Sequence, residues 1–153
     1  ITLPGGTLIP VTLMETISSK KSKSGTIFKY QIAEDIIYAG SVIMSKNTIG
    51  RGEVLKAKKA SILLKKGELE LDFKSIEALD GTNIRLVFGL ASEEENSRLG
   101  IAVGASIAGL IILSNPVGLV IGALIPGKNI TLKEGTRLYL EVSTDTKMIS
   151  LAQ

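Results

Sequence analysis

Apolar and polar residues alternate along most of the chain with a period of two, the pattern of half-buried β-strands. Between two of these strands, Asp80-Gly81 is a two-residue turn signal. The apolar phase slips between Phe73 and Ile76, which predicts a β-bulge near Lys74-Ser75. About seven strands with short connections predict a small antiparallel barrel. The predicted strand segments are Thr7–Ile17, Thr26–Ile37, Ser41–Met44, Ile49–Lys56, Leu69–Phe73, Ile84–Phe88, Asn129–Leu132 and Thr136–Val142.

One long segment departs from this alternation. Leu99–Gly127 contains 29 residues without a charge, of which 18 are Ala, Val, Ile or Leu and six are Gly. A helix that is apolar on all sides needs a protein interior or lipid around it. Ser114–Pro116 is a helix breaker, so we interpret the segment as two short α-helices that form a hairpin. The predicted architecture is mainly β: one barrel domain over residues 1–153, with the helical hairpin inserted at 99–127.

Three environments remain open for this hairpin: the barrel core, a membrane, or other protein chains. If Pro116 only kinks the segment, it is instead one tilted membrane-spanning helix. Small residues recur at helical spacing, as at Gly100, Gly104 and Ala108, and such stripes let helices pack closely in lipid. The residues that we predict to contact the membrane or other subunits are Leu99, Gly100, Ile101, Val103, Gly104, Ile107, Ala108, Leu110, Ile111, Leu113, Pro116, Val117, Gly118, Leu119, Ile121, Gly122, Leu124 and Ile125.

The composition excludes much of catalysis. The chain has no His, Cys or Trp. It therefore lacks Ser-His and Cys-His nucleophile pairs, and it lacks the imidazole and thiolate ligands of common zinc and haem sites. We interpret the carboxylate groups at Glu34-Asp35 and Glu93–Glu95 as solvated surface. The sequence thus predicts a protein that is not an enzyme and that has no cofactor, metal or catalytic site.

The net charge is +3, and lysines fall in two clusters, Lys20–Lys23 and Lys56–Lys66. Basic clusters bind polyanions such as nucleic acid or anionic lipid. Few aromatic residues accompany them, so we do not expect nucleic acid as a partner. The alternative function is a periplasmic or cell-surface binding module that contacts anionic cell-wall polymer. Its candidate contacts are Lys20, Lys21, Lys23, Lys56, Lys58 and Lys59.

Several short motifs give the chain a recognisable layout. Pro4–Leu13 is PGGTLIPVTL, Gly25–Ile36 is GTIFKYQIAEDI, Ile43–Val54 is IMSKNTIGRGEV, and Leu69–Gly81 ends in Asp-Gly. The order of these motifs resembles the barrel of the TrbI-type family of type IV secretion proteins. In that family an α-helical hairpin precedes the last strands, and Leu99–Gly127 occupies that place.

The resemblance implies a structural subunit of the bacterial cell envelope, at the periplasm and outer membrane. It implies a homo-oligomeric ring or pore, a hairpin that contacts membrane lipid, and other envelope or secretion-complex proteins as partners. An inner-membrane protein whose hairpin anchors a cytosolic barrel is a further alternative. The sequence starts at Ile1 rather than Met, which indicates a processed product or a fragment.

Overall fold

The computed structural model describes residues 2–58, 67–88, 91–92, 95, 110–114, 119–123 and 131–148. Every strand pairing among these residues is antiparallel. The strands are β1 (Thr2–Leu3), β2 (Leu8–Leu13), β3 (Ile17–Ser18), β4 (Ile27–Ile32), β5 (Ile36–Tyr38), β6 (Ser41–Met44), β7 (Ile49–Lys58), β8 (Glu68–Asp72), β9 (Ser75–Glu77), β10 (Asn83–Val87), β11 (Leu110–Ser114), β12 (Leu119–Ala123), β13 (Thr131–Leu132), β14 (Arg137–Val142) and β15 (Thr146–Lys147).

Nine of these strands form one sheet in the order β11-β12-β8-β7-β4-β2-β14-β10-β9. The pairs β1-β15, β13-β3 and β5-β6 are separate two-stranded sheets. Although only Phe73 and Lys74 separate β8 from β9, β8 pairs with β7 and β9 pairs with β10. One bent segment thus contributes β8, near one end of the large sheet, and β9, at the other end. The large sheet therefore curls into a half-barrel. The prediction of a mainly β protein is confirmed.

The alternation along the strands produces the core. In β4, for example, Phe28, Tyr30 and Ile32 are buried, whereas the alternate residues Ile27 and Lys29 are exposed. The concave face of the half-barrel collects these inward residues from all its long strands. The fully buried residues at predicted inward positions include Ile9, Val11, Leu13, Phe28, Tyr30, Ile32, Leu69, Leu71, Ile84, Leu86, Leu138, Leu140 and Val142.

The strand breaks between β8 and β9 where the sequence predicts a bulge. Lys74 has a left-handed backbone with φ of 57°. The Asp72 carboxylate holds this conformation, because its Oδ1 accepts hydrogen bonds from the Lys74 N–H at 2.8 Å and from the Arg85 guanidinium at 2.9 Å. On the inner side, the Tyr30 hydroxyl donates a hydrogen bond to the Phe73 carbonyl at 2.7 Å. The chain thus bends between a buried phenol and a partly buried ion pair.

Two glycines of β7 make room for an aromatic cluster beneath this bend. The Phe73 ring packs edge-to-face against Phe28 and Tyr30, with ring centroids 5.2 and 5.1 Å apart. The Tyr30 ring lies directly over Gly50, and the Phe28 ring lies over Gly52, at positions that a Cβ atom would occupy. The close packing of the two aromatic rings therefore requires glycine at both positions.

The predicted helical hairpin is wrong. Leu110–Ser114 and Leu119–Ala123, both inside the charge-free segment, are strands β11 and β12, and they pair antiparallel with each other. Each strand has five residues and lacks charge, and short apolar runs bounded by turn residues are compatible with strands as well as with helices. The open edge of β8 also supplies backbone partners that a helix would not use. The predicted breaker, Ser114–Pro116, begins at the last residue of β11, and the rest of it lies outside the described residues.

The packing of Phe28 on Gly52 predicts a strong effect of a single methyl group. In a Gly52→Ala variant, the new Cβ meets the Phe28 ring and lies 2.7 Å from the Asp72 carbonyl oxygen. We expect a loss of about 2 kcal/mol in the free energy of unfolding, measured by urea denaturation, because overpacking forces the backbone to move. Gly40→Ala is the matched control: no atom lies within 4 Å of its Cβ, and only its φ of +79° causes strain. A loss for Gly52→Ala no larger than that for Gly40→Ala contradicts the packing argument.

The buried phenol predicts a pH dependence of stability at alkaline pH. Burial, together with the Asp72 carboxylate, raises the pKa of Tyr30 far above its ordinary value of 10.0. The folded state therefore holds this proton more tightly than the unfolded state, and the resulting stability is fully present below about pH 10 and is lost as the pH rises above it. We expect Tyr30→Phe to lose about 1 kcal/mol at neutral pH, since the Phe73 carbonyl loses its donor.

The comparison is made by urea denaturation of both proteins at several pH values. Between about pH 9 and about pH 11 the wild type loses more stability than Tyr30→Phe, because only the wild type must ionise this group on unfolding. Parallel stability curves for the two proteins across this range contradict the assignment.

Candidate functional site

The described part of the charge-free segment forms a hairpin at one end of the large sheet. Strand β12 pairs with β8, with Leu119 opposite Leu71 and Ile121 opposite Leu69. Strand β11 pairs with β12 on its other side and is the terminal strand of the nine-stranded sheet. Within the described residues, β11 thus has a strand neighbour on one side only. We call the strands β11 and β12 the edge hairpin.

The edge hairpin differs chemically from the strand that supports it. In β8, charged Glu68 and Glu70 alternate with buried Leu69 and Leu71, as expected for a sheet with one wet face. The two strands of the edge hairpin have the sequences LIILS and LVIGA, and neither contains a charged residue. Natural edge strands are usually protected by Lys, Pro, bulges or very short length, and β11 contains neither Lys nor Pro. The edge hairpin therefore has the composition of a strand pair that associates with other protein surface.

The structure describes only some of the predicted membrane or subunit contacts. Of these, Leu110, Ile111, Leu113, Leu119, Ile121 and Gly122 lie in the edge hairpin. In the described part of the chain, no helix has the length and hydropathy that crossing a bilayer requires. The other predicted contacts lie outside the described residues: Leu99, Gly100, Ile101, Val103, Gly104, Ile107, Ala108, Pro116, Val117, Gly118, Leu124 and Ile125.

The first lysine cluster lies on a loop whose backbone is closed by its own serines. The Ser18 hydroxyl accepts hydrogen bonds from the N–H groups of Lys20 and Lys21, at 3.1 and 3.3 Å. The Ser22 hydroxyl accepts one from the Ser18 N–H at 3.0 Å. Lys20, Lys21 and Lys23 are exposed, so their ammonium groups are available to solvent. A concavity of about 420 Å³ with apolar walls at Phe28 and Val54 borders this loop.

The loop of the first lysine cluster is hydrogen-bonded to the strand that carries the described lysines of the second cluster, Lys56 and Lys58. The end of the loop is bound to β7, because the Gly25 N–H donates to the Val54 carbonyl at 2.7 Å and the Val54 N–H donates to the Thr26 carbonyl at 2.8 Å. Lys56 follows Val54 by two residues and forms an exposed ion pair with Glu68, with 3.5 Å between the charged atoms. Lys58 is exposed on the same strand, and Lys59 lies outside the described residues. We call Lys20, Lys21, Lys23, Lys56 and Lys58 the basic surface.

A further groove was not predicted from the sequence. It has a volume of about 660 Å³ and lies between the first residues of β7 and the strand β9. We call it the seam groove. Two signals in the sequence point to its position. The phase slip at Lys74 interrupts the strand, and the glycines at positions 50 and 52 leave part of the β7 wall without side chains. Its lining residues are Ile49, Gly50, Arg51, Asp72, Lys74, Ser75, Ile76, Glu77, Asn83 and Arg85.

These features define a mainly β half-barrel domain with an apolar edge hairpin. No family model matches the chain, and no curated protein matches it. Among solved structures, the chain is similar to ComB10 of the Com type IV secretion system of Helicobacter pylori, with 18% sequence identity and a TM-score of 0.48. The match covers 94% of this chain and 88% of the ComB10 chain in that structure.

Proposed function

We propose that this protein is a structural subunit that joins other subunits through its edge hairpin, and that it has no catalytic activity. The single observation that carries this proposal is the position of β11, an apolar and charge-free strand at the end of a nine-stranded sheet. An unpaired strand edge is a template for pairing with another chain. An apolar surface also gains free energy when a partner removes it from water.

The finer part of the proposal concerns the assembly itself. We propose a homo-oligomer, a ring or pore, in the bacterial cell envelope at the periplasm and outer membrane, with secretion-complex proteins as further partners. The order of the motifs from Pro4 to Gly81, followed by the apolar segment, supports this part. Head-to-tail contacts between identical subunits close into rings when the rotation between neighbours allows it. In this proposal the edge hairpin contributes one half of each such contact.

The oligomeric state of the purified chain tests this function. The double variant Ile111→Lys/Leu113→Lys places two charges on the terminal strand, and charges on an edge strand oppose pairing with a second strand. We expect the wild type to form an oligomer in light scattering coupled to size-exclusion chromatography, and the double variant to elute as a monomer.

The matched control is the double variant Ile37→Lys/Leu79→Lys, since these two residues are 64% and 63% exposed and lie outside the edge hairpin. It adds the same two charges without touching the edge hairpin, and we expect its oligomer to be unchanged. Circular dichroism verifies that each variant keeps its strand content. A monomeric wild type, or a double variant that still assembles like the control, overturns the proposal.

The basic surface supports a second candidate function, the binding of an anionic cell-wall polymer. The observation in its favour is that the loop with Lys20, Lys21 and Lys23 is hydrogen-bonded at Val54 to the strand that carries Lys56 and Lys58. Adjacent cations raise the local concentration of a polyanion, and this attraction weakens with salt. This function does not need the edge hairpin, so the two candidates are separable.

Binding of purified teichoic acid at several salt concentrations tests the second function. We expect the triple variant Lys20→Glu/Lys21→Glu/Lys23→Glu to lose at least about tenfold in affinity at low salt, because it reverses three charges on one loop. The control reverses three exposed lysines elsewhere, Lys46, Lys133 and Lys147. Equal losses in the two triple variants indicate net charge alone and contradict a specific basic surface.

A further inference from the structure

Three exposed aliphatic side chains gather at the hairpin that β5 and β6 form. Ile37 and Val42 are cross-strand partners, and they are 64% and 43% exposed. The Leu79 N–H donates a hydrogen bond to the Ile43 carbonyl at 2.9 Å, which places Leu79, 63% exposed, beside β6. Single exposed aliphatic residues are ordinary, whereas a contiguous group of them marks an interaction site. We call Ile37, Val42 and Leu79 the apolar patch.

The β5-β6 hairpin holds the apolar patch in a fixed shape. Ala39 and Gly40 connect the two strands, and their φ angles of 52° and 79° agree with a type I′ turn, whose twist matches that of the strands. On the inner side of the hairpin, Ile36, Ile43 and Met44 are buried in the core. The apolar patch is therefore preformed, and a partner loses little binding free energy to ordering it.

Charge near the apolar patch is confined to the side of Leu79. The hairpin segment Ile36–Ser45 contains no charged residue, whereas Glu77 and Asp80 flank Leu79 in the chain. The Glu77 carboxylate is exposed and has no ion-pair or hydrogen-bond partner among the described residues. Arg51 lies on the opposite wall of the seam groove and forms no ion pair with it. This charge distribution complements a partner that combines aliphatic residues with a basic one.

The spacing of the apolar patch matches one face of an α-helix. Ile37, Val42 and Leu79 come from three adjacent segments, and neighbouring extended segments lie about 4.8 Å apart, so the row is about 10 Å long. Helix residues at i, i+3 and i+7 share one face and cover about the same length. No strand can be added between β6 and Leu79, because the Leu79 N–H already occupies the Ile43 carbonyl. Side chains from a helix thus fit the apolar patch better than an added strand.

We propose that the apolar patch binds an amphipathic helix of another protein, with aliphatic residues over the patch and a lysine or arginine toward Glu77. Burial of apolar surface supplies most of the binding free energy, and the ion pair orients the helix. A lipid surface fits less well, since Glu77 and Asp80 at the border of the patch repel anionic lipids. This interaction needs neither the edge hairpin nor the basic surface.

Binding is tested on the full chain with a blocked, fluorescently labelled peptide, AQALAQLAQALAAKKQ, whose three leucines lie on one helical face with the lysines after them. The control peptide AQLAAQALLQAAAKKQ has the same composition, but its leucines are spread around the helix. Circular dichroism verifies that the two peptides have equal helicity. We expect the first peptide to bind at least about fivefold more tightly in fluorescence anisotropy, because only its leucines can cover the patch together. Equal binding of the two peptides, or no binding of either, overturns the proposal.

The variant Ile37→Lys/Leu79→Lys locates the binding site. We expect it to lose at least about tenfold in affinity for the first peptide, because two ammonium groups replace aliphatic contacts and repel the lysines of the peptide. Glu77→Lys should lose about fivefold, whereas Glu134→Lys, the same change of charge on another exposed turn, should not. Unchanged binding by the variants of the apolar patch and Glu77 overturns the proposal.

Vesicles of neutral phosphatidylcholine test the other occupant. If the wild type binds these vesicles, Ile37→Lys/Leu79→Lys does not, and neither peptide binds, the apolar patch contacts lipid and the proposal is overturned. The Ile111→Lys/Leu113→Lys variant should bind the first peptide normally, and Ile37→Lys/Leu79→Lys should keep the oligomer. Failure of the apolar patch and failure of the edge hairpin are therefore distinguishable.

Discussion

The bend between β8 and β9 is the constraint on which the shape of the domain depends. At this bend the chain leaves β7 and turns toward β10, and the buried Tyr30 hydroxyl donates a hydrogen bond to the Phe73 carbonyl. Asp72 completes the bend from the other side by binding Arg85 and the Lys74 N–H. Without this bend, β8 and β9 would be one straight strand with one set of neighbours, and the sheet would neither curl into a half-barrel nor leave the seam groove open.

The same bend explains why both candidate binding features lie along one segment of the chain. Before the bend, β8 uses one edge for β7 and the other for β12, so it carries the edge hairpin. After the bend, β9 uses only the edge that faces β10, and its other edge forms a wall of the seam groove. The bend thus places the edge hairpin and the seam groove at successive parts of one segment.

Most of the fold was predictable because the alternation of apolar and polar residues along a strand indicates which side chains are buried. Phe28, Tyr30 and Ile32 sit at every second position and are all buried, and the phase slip at Lys74 marked the bend. The edge hairpin was not predictable in the same way, since an uninterrupted apolar run such as Leu110–Leu113 has no period that separates strand from helix. Its conformation depends on the open edge of β8, which is a tertiary feature. The phase slip at Lys74 and the glycines at positions 50 and 52 mark where the seam groove lies, but they do not show that β7 and β9 stay unpaired there, which is a tertiary feature.

The edge hairpin and the seam groove differ in the partner that each would select. The edge hairpin contains no charged residue. In the proposed assembly its partner is therefore selected mainly by the burial of apolar surface, which stabilises many partners and discriminates poorly between them. The seam groove is lined mostly by polar and charged residues. A molecule that covered such groups would have to supply matching hydrogen bonds or charges, so that selection there would depend on the chemistry of the partner.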